Sequence, residues 1–110
     1  MDKSSLTELA TRLMDAGRKS SSGRTAQTVY GGNARILRQT VLALRAGESL
    51  AEHENPGEAT VHVLQGRVHL ASRDDSCDGA SGDLVVVPAG RHTLTAIEDA
   101  VVLLTVAKHP

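Results

Sequence analysis

Two stretches of this chain crowd together the residue types that do chemistry. In the first, Glu52, Glu54 and Glu58 surround His53. Carboxylates beside an imidazole are the raw material of general acid–base catalysis, which needs proton donors and acceptors within one hydrogen-bond length of the reacting group. Strand alternation separates them, however: with His53 on one side of a strand, Glu52 and Glu54 fall on the other, and a solvated acidic rim accounts for them better than a catalytic pair. In the second stretch Arg91 stands between Gly90 and His92. A guanidinium at the mouth of a cavity can hold a carboxylate in bidentate fashion, although arginines are also common in surface turns. His62 and His69 lie in valine-leucine runs, on the opposite side from Val61, Val63, Val68 and Leu70, so a barrel with an aliphatic interior leaves both outside. The single Cys77 sits among Asp74, Asp75 and Asp78, whose negative charge opposes the thiolate and argues against a nucleophile. There is no GxSxG elbow, and Ser20, Ser21 and Ser22 cluster in a glycine- and arginine-bearing stretch that lacks phosphate-loop spacing.

The elements that must carry these residues are legible from periodicity. Residues 5–16 read as a short helix, with Ser5 and Glu8 at capping-box spacing and Leu6, Leu9, Ala10, Leu13 and Met14 forming one apolar stripe. At about twelve residues it cannot stand alone in water and must dock on something. Residues 17–24 read as a flexible connector. From Thr25 the pattern changes to short runs rich in Val, Leu, Ile and Thr, broken by turn residues. Eight strands are expected: 25–30, 34–44, 50–54, 60–64, 67–72, 83–87, 92–96 and 100–107. The turns between them include Gly31-Gly32-Asn33, Asn55-Pro56-Gly57, Gln65-Gly66, Asp78-Gly79 and Pro88-Ala89-Gly90. Residues 1–24 thus form a helix and linker, and residues 25–110 an all-β barrel.

Two separated blocks give the barrel a family likeness. Gly47 to His53, the Val63 to Gly66 hairpin, and Gly82-Asp-Leu-Val-Val-Val-Pro88-Ala-Gly90 together resemble the two motif regions of the cupin superfamily, over roughly residues 36–106. The resemblance implies a double-stranded β-helix, a jelly-roll-like barrel of one domain. Metal-binding cupins use G-x5-H-x-H-x3,4-E-x6-G and then G-x5-P-x-G-x2-H, with three histidines and a glutamate converging on a divalent cation. Carried over residue by residue, the likeness puts His53 at the first histidine and Asn55 at the second. A neutral amide oxygen is a poorer donor to a transition metal. The glutamate position falls on Ala59, with Glu58 one residue early; Glu58 can serve only if a bulge turns it inward. His92 takes the last histidine, one residue closer to Gly90 than is usual. The candidate metal residues are therefore His53, His92, Asn55 and Glu58, and the cofactor they imply is one divalent ion, Zn, Fe, Mn, Ni or Cu. Without metal, two imidazoles in one cavity would still form a proton donor and acceptor pair near neutral pH.

Composition bounds what such a barrel can do. The chain has 110 residues, net charge −1, one Tyr, and no Trp or Phe. That is one core's worth of chain; it lacks the basic footprint of a nucleic-acid binder and the ring faces that sugar or base platforms need. No stretch approaches the ~18 apolar residues of a membrane span, and a cytoplasmic protein is expected. The first functional reading is a small-molecule-binding, accessory or sensory barrel with a degenerate metal site, taking a small apolar ligand. A second is a divalent-metal enzyme, an oxygenase or isomerase using His53 and His92. A third is a dimerising protein whose interior is filled by its own side chains. A homodimer is expected, through the outward residues of 34–44 and those around His62 and His69.

Overall fold

The structure, a computed structural model, describes residues 1–54 and 57–108, with backbone alone for residues 51–54. The first element is α1 (Leu6–Lys19). Its cap forms as the sequence suggests, with the Glu8 N–H donating to Ser5 Oγ at 3.3 Å. The helix runs three residues beyond the expected end, because Gly17 is buried against the sheet and Arg18 and Lys19 sit favourably in the last turn. The expected flexible connector shrinks to a tight turn, in which the Gly23 N–H donates to the Ser20 carbonyl and the Arg45 N–H to the Gly23 carbonyl.

Nine strands follow among the described residues: β1 (Arg24–Tyr30), β2 (Leu37–Leu44), β3 (Ser49–Glu54), β4 (Gly57–Gln65), β5 (Arg67–Ser72), β6 (Ser76–Ala80), β7 (Leu84–Val87), β8 (Arg91–Ala96) and β9 (Ala100–Lys108). They pair antiparallel into a five-stranded sheet, β1-β2-β9-β4-β7, and a four-stranded sheet, β3-β8-β5-β6. This is a double-stranded β-helix. The strand missing from the eight expected is β6, whose sequence Ser-Cys-Asp-Gly-Ala reads as turn. It is a strand because it borrows its order from β5, its one partner in the sheet, and the Asp78-Gly79 pair expected in a turn lies inside it.

Alternation sorts the apolar residues into two cores. The inner one, between the sheets, contains Leu42, Leu44, Val61, Val63, Val68, Leu70, Leu94, Val102 and Val106. The outer one lies between α1 and the back of the five-stranded sheet, where Leu9, Ala10, Leu13 and Met14 meet Val41, Ala43 and Val101. So the helix covers much of the outward face of β2 that the sequence offered to a second copy. Two ties hold it there: Thr25 Oγ1 donates to the Leu13 carbonyl at 2.8 Å, and Arg18 Nε donates to Asp99 Oδ2 at 3.1 Å. Asp99 Oδ1 also accepts from the Ala46 N–H at 2.8 Å. That backbone bond, followed by the Arg18 bond, holds the Asp99 carboxyl below its ordinary value.

Two glycines set the closest approaches. Gly66, in the β4–β5 turn, has φ +78°, and a Cβ there would overlap the Asp99 carbonyl oxygen. Gly79 of β6 lets the edge of one sheet rest on the other, since a Cβ would stand 3.0 Å from Val63 Cγ2. No helix among the described residues is long and apolar enough to cross a membrane.

Candidate functional site

The antiparallel register brings the chemistry-bearing residues to one end of the barrel. On the four-stranded sheet His53, His92 and Ser72 are consecutive partners across β3, β8 and β5. A register shift between Leu50 and His53 absorbs an extra residue in β3 and keeps position 53 on the same face as His92. His92 is 6% exposed, the one buried polar or charged side chain among the described residues. It shares the inner face of β8 with Leu94 and Ala96. The shortened Gly90–His92 connection therefore still delivers the imidazole inward, and its Nδ1 lies 3.5 Å from the Gly90 carbonyl.

Facing this row, the five-stranded sheet presents a second row in which Arg38, Val106, Ala59 and Val87 are partners across β2, β9, β4 and β7. Ala59 is 6% exposed and packs in the inner core. Glu58 is exposed, and the pairing of β4 with β9 is regular from Gly57 to Val63. The bulge that Glu58 needs in order to turn inward is not there, and Glu58 lies on the outer side. Asn55 lies outside the described residues, and for His53 the backbone register alone is described. Among the described residues no three His, Cys, Asp or Glu side chains stand together as a metal-binding group. The donor set on β4 and β8 thus does not by itself fit a catalytic cation, which normally takes three protein ligands and an open position.

The space at this end has two parts. A small pocket of about 40 Å³ is bordered by Leu70, Val85, Val87, Cys77 and His92. Outside it, a cleft of about 750 Å³ runs between the β5–β6 and β7–β8 turns, with His92 and Ser72 on its floor and Arg73, Asp74, Asp75 and Arg91 on its rim.

His62 and His69 fall outside the barrel, as alternation requires. Both are half-buried, and His69 Nδ1 is 2.6 Å from Asp78 Oδ1, with Arg67 3.9 Å from the other carboxylate oxygen. Sequence reasoning missed Cys77 as a cavity residue, because its strand reads as turn. It also missed Arg38 on the inner row, although the even spacing Arg38, Thr40, Leu42, Leu44 carried that signal.

The Cupin domain model matches residues 40–107. Among solved structures, the chain is similar to a conserved protein of unknown function from Streptococcus pyogenes, at 29% identity and a TM-score of 0.74, covering 83% of this chain and 79% of the other. It is similar to an RmlC-like cupin protein from Desulfovibrio desulfuricans, at 24% identity and a TM-score of 0.75, covering 97% and 96%. A cupin superfamily protein from Desulfitobacterium hafniense aligns at 20% identity and a TM-score of 0.72, over 78% of each chain. No curated protein matches the chain. With a family match spanning more than half its length and sheets whose order and register build the same barrel, the chain belongs to the cupin family.

Proposed function

We propose that this chain is a small-molecule-binding barrel, an accessory or sensory cupin with a degenerate metal site at its mouth. One observation carries the reading: buried Ala59 holds the inner-row position of the family's glutamate, while the nearest carboxylate, Glu58, is exposed on the other side of a regular strand. The ligand is small and sits in the cleft over His92 and Ser72, with an apolar part toward the adjoining pocket bordered by Leu70, Val85 and Val87. Metal content measured by mass spectrometry on untagged protein tests this. Far less than one ion per chain is expected, and His92→Ala should leave that value unchanged.

The second reading, a divalent-metal enzyme acting through His53 and His92, is supported by the register that sets those two positions opposite each other. One Zn, Fe, Mn, Ni or Cu per chain, lost in His92→Ala, would establish it and remove the first. A homodimer belongs to either reading. Beyond the edge of α1, the outward face of β4 and β7 carries Thr60, half-buried His62, and Leu84 and Val86 at 63% and 74% exposure. Exposed aliphatics of that size on an edge strand call for cover. Sedimentation of a monomer at micromolar concentration would remove the dimer.

A further inference from the structure

We infer that the protein carries a second binding site, for a small amphiphilic anion with an oxyanion head on an aliphatic tail, in a groove on the outer face of the five-stranded sheet. The groove shares no lining residue with the cleft, so the inference stands apart from the reading above. It exists because α1 is shorter than the face it covers. Leu103 of β9 is the partner of Val41, which lies under the helix, and on β2 the same face runs on to Gln39 and Leu37. The helix starts at Leu6, and beyond that point the sheet lies open in a groove of about 710 Å³. Its floor is Leu6, Val29 and Leu103, half-buried residues at the fringe of the outer core. The Gln39 amide beside them already donates to Thr105 Oγ1 at 3.2 Å.

The β1–β2 loop forms one wall and is tied to the end of β9. Its Ile36 carbonyl accepts from the Lys108 N–H at 3.0 Å, the Arg35 N–H donates to the Gly32 carbonyl at 3.2 Å, and Lys108 Nζ donates to that same carbonyl at 3.3 Å. Tyr30, Ile36 and Leu37 stay exposed along this wall, apolar surface that an alkyl tail would remove from water. The charged side chains on the border are Asp2, Lys3 and Arg35. The Arg35 guanidinium stands 5.9 Å from the centre of the Tyr30 ring. Among the described residues neither the Arg35 nor the Lys3 side chain makes a hydrogen bond or ion pair. Two cations against one carboxylate leave the border positive. A planar guanidinium binds an oxyanion through two parallel N–H···O bonds, so the head pairs with Arg35 while the tail extends the outer core across Leu103.

Tyr30 is the chain's one aromatic residue, so the intrinsic fluorescence of the full chain reports from this groove. The test is a titration at low ionic strength with octanoate and, separately, octanol, which has the same tail and no charge. Octanoate should change the Tyr30 emission saturably and bind more tightly than octanol by about threefold or more, the size expected of exposed ion pairs. Replacing both cations, Arg35→Gln with Lys3→Gln, should abolish that preference, while Arg73→Gln in the cleft should preserve it. All three positions are exposed, so the replacements leave the core intact. Equal binding of acid and alcohol, no saturable change with either, or a preference that survives the double replacement overturns the assignment. A preference lost in Arg73→Gln overturns it too, since the acid would then be held in the cleft. Emission that follows protein concentration and ignores octanoate also overturns it, because a second copy would then fill the groove. Each of these outcomes leaves the small-molecule reading of the cleft standing.

Discussion

Ala59→Glu restores to the inner row the carboxylate that the family's metal sites use, and its consequences can be worked out in advance. Ala59 is 6% exposed, so the longer side chain must displace packed neighbours, at about 1–3 kcal/mol. A buried carboxyl without a partner costs roughly another 1–3 kcal/mol. The metal-free variant should therefore be less stable than the parent by about 2–6 kcal/mol. A divalent ion bound by the introduced carboxylate in concert with His92 offsets part of this. At a free concentration one hundred times its Kd, the ion contributes about 2.7 kcal/mol. With an unfolding entropy of about 2.1 cal/mol/K per residue, a chain of 110 residues shifts by roughly 4 °C per kcal/mol, which gives a rise of about 12 °C on adding metal. Differential scanning calorimetry with and without Zn, Mn or Ni measures it, and Ala59→Gln, equal in size and uncharged, is the control. A folded Ala59→Glu protein whose Tm responds to metal no more than the glutamine variant would show that position 59 is not the vacated ligand position.

Three further outcomes follow from the fold. Leu13→Ala, at a site 5% exposed under the helix, should lower stability by about 2–5 kcal/mol, read as a lower urea midpoint. Gly66→Ala forces a Cβ onto the Asp99 carbonyl oxygen at φ +78°; thermal melting should show one of the larger losses of any glycine substitution, and an unchanged Tm would mean that the β4–β5 turn is not as described. The native Asp99 carboxyl is held below its ordinary value of 3.8, first by the Ala46 N–H and then by Arg18. Its contribution is then complete above about pH 4, the unfolded value, and disappears as pH falls through the lower native value. The stability difference between the parent and Asp99→Asn should accordingly be constant from pH 7 to 5 and shrink below pH 4; a difference that grows on acidification contradicts this sign.

Much of this was legible in the sequence because the signals were local. Ser5 and Glu8 marked the helix start, and alternation assigned the inward and outward sides of β4 and β5, including His62 and His69. Elements defined by partners were less visible. The strand at Ser76–Ala80 has one buried residue, Gly79, so no apolar run announces it, and Cys77 consequently gave no sign of lining a cavity. The docking of α1 on β2 was half-visible: the apolar stripe required a partner, but nothing local said that Val41 and Ala43 would be that partner rather than an interface with another copy. For the candidate site, the motif located His92, and alternation made the inward turning of Glu58 conditional on a bulge. Arg38 went unnoticed because it sits at the exposed start of its strand, where exposure hides which face a residue belongs to.

The helix on the back of the five-stranded sheet leaves the molecule with unequal halves. Val41 to Leu44 are buried consecutively, odd residues under the helix and even residues toward the barrel, so β2, and β9 beside it, are shielded from both directions. The four-stranded sheet has one apolar side and ends in the short β6. Amide hydrogen exchange should run along this gradient, with the backbone of Val41–Leu44 and Val101–Val102 opening last and that of Ser76–Ala80 first. A guest entering beside β6 and β7 would thus meet the compliant wall of the barrel, with the rigid wall behind it.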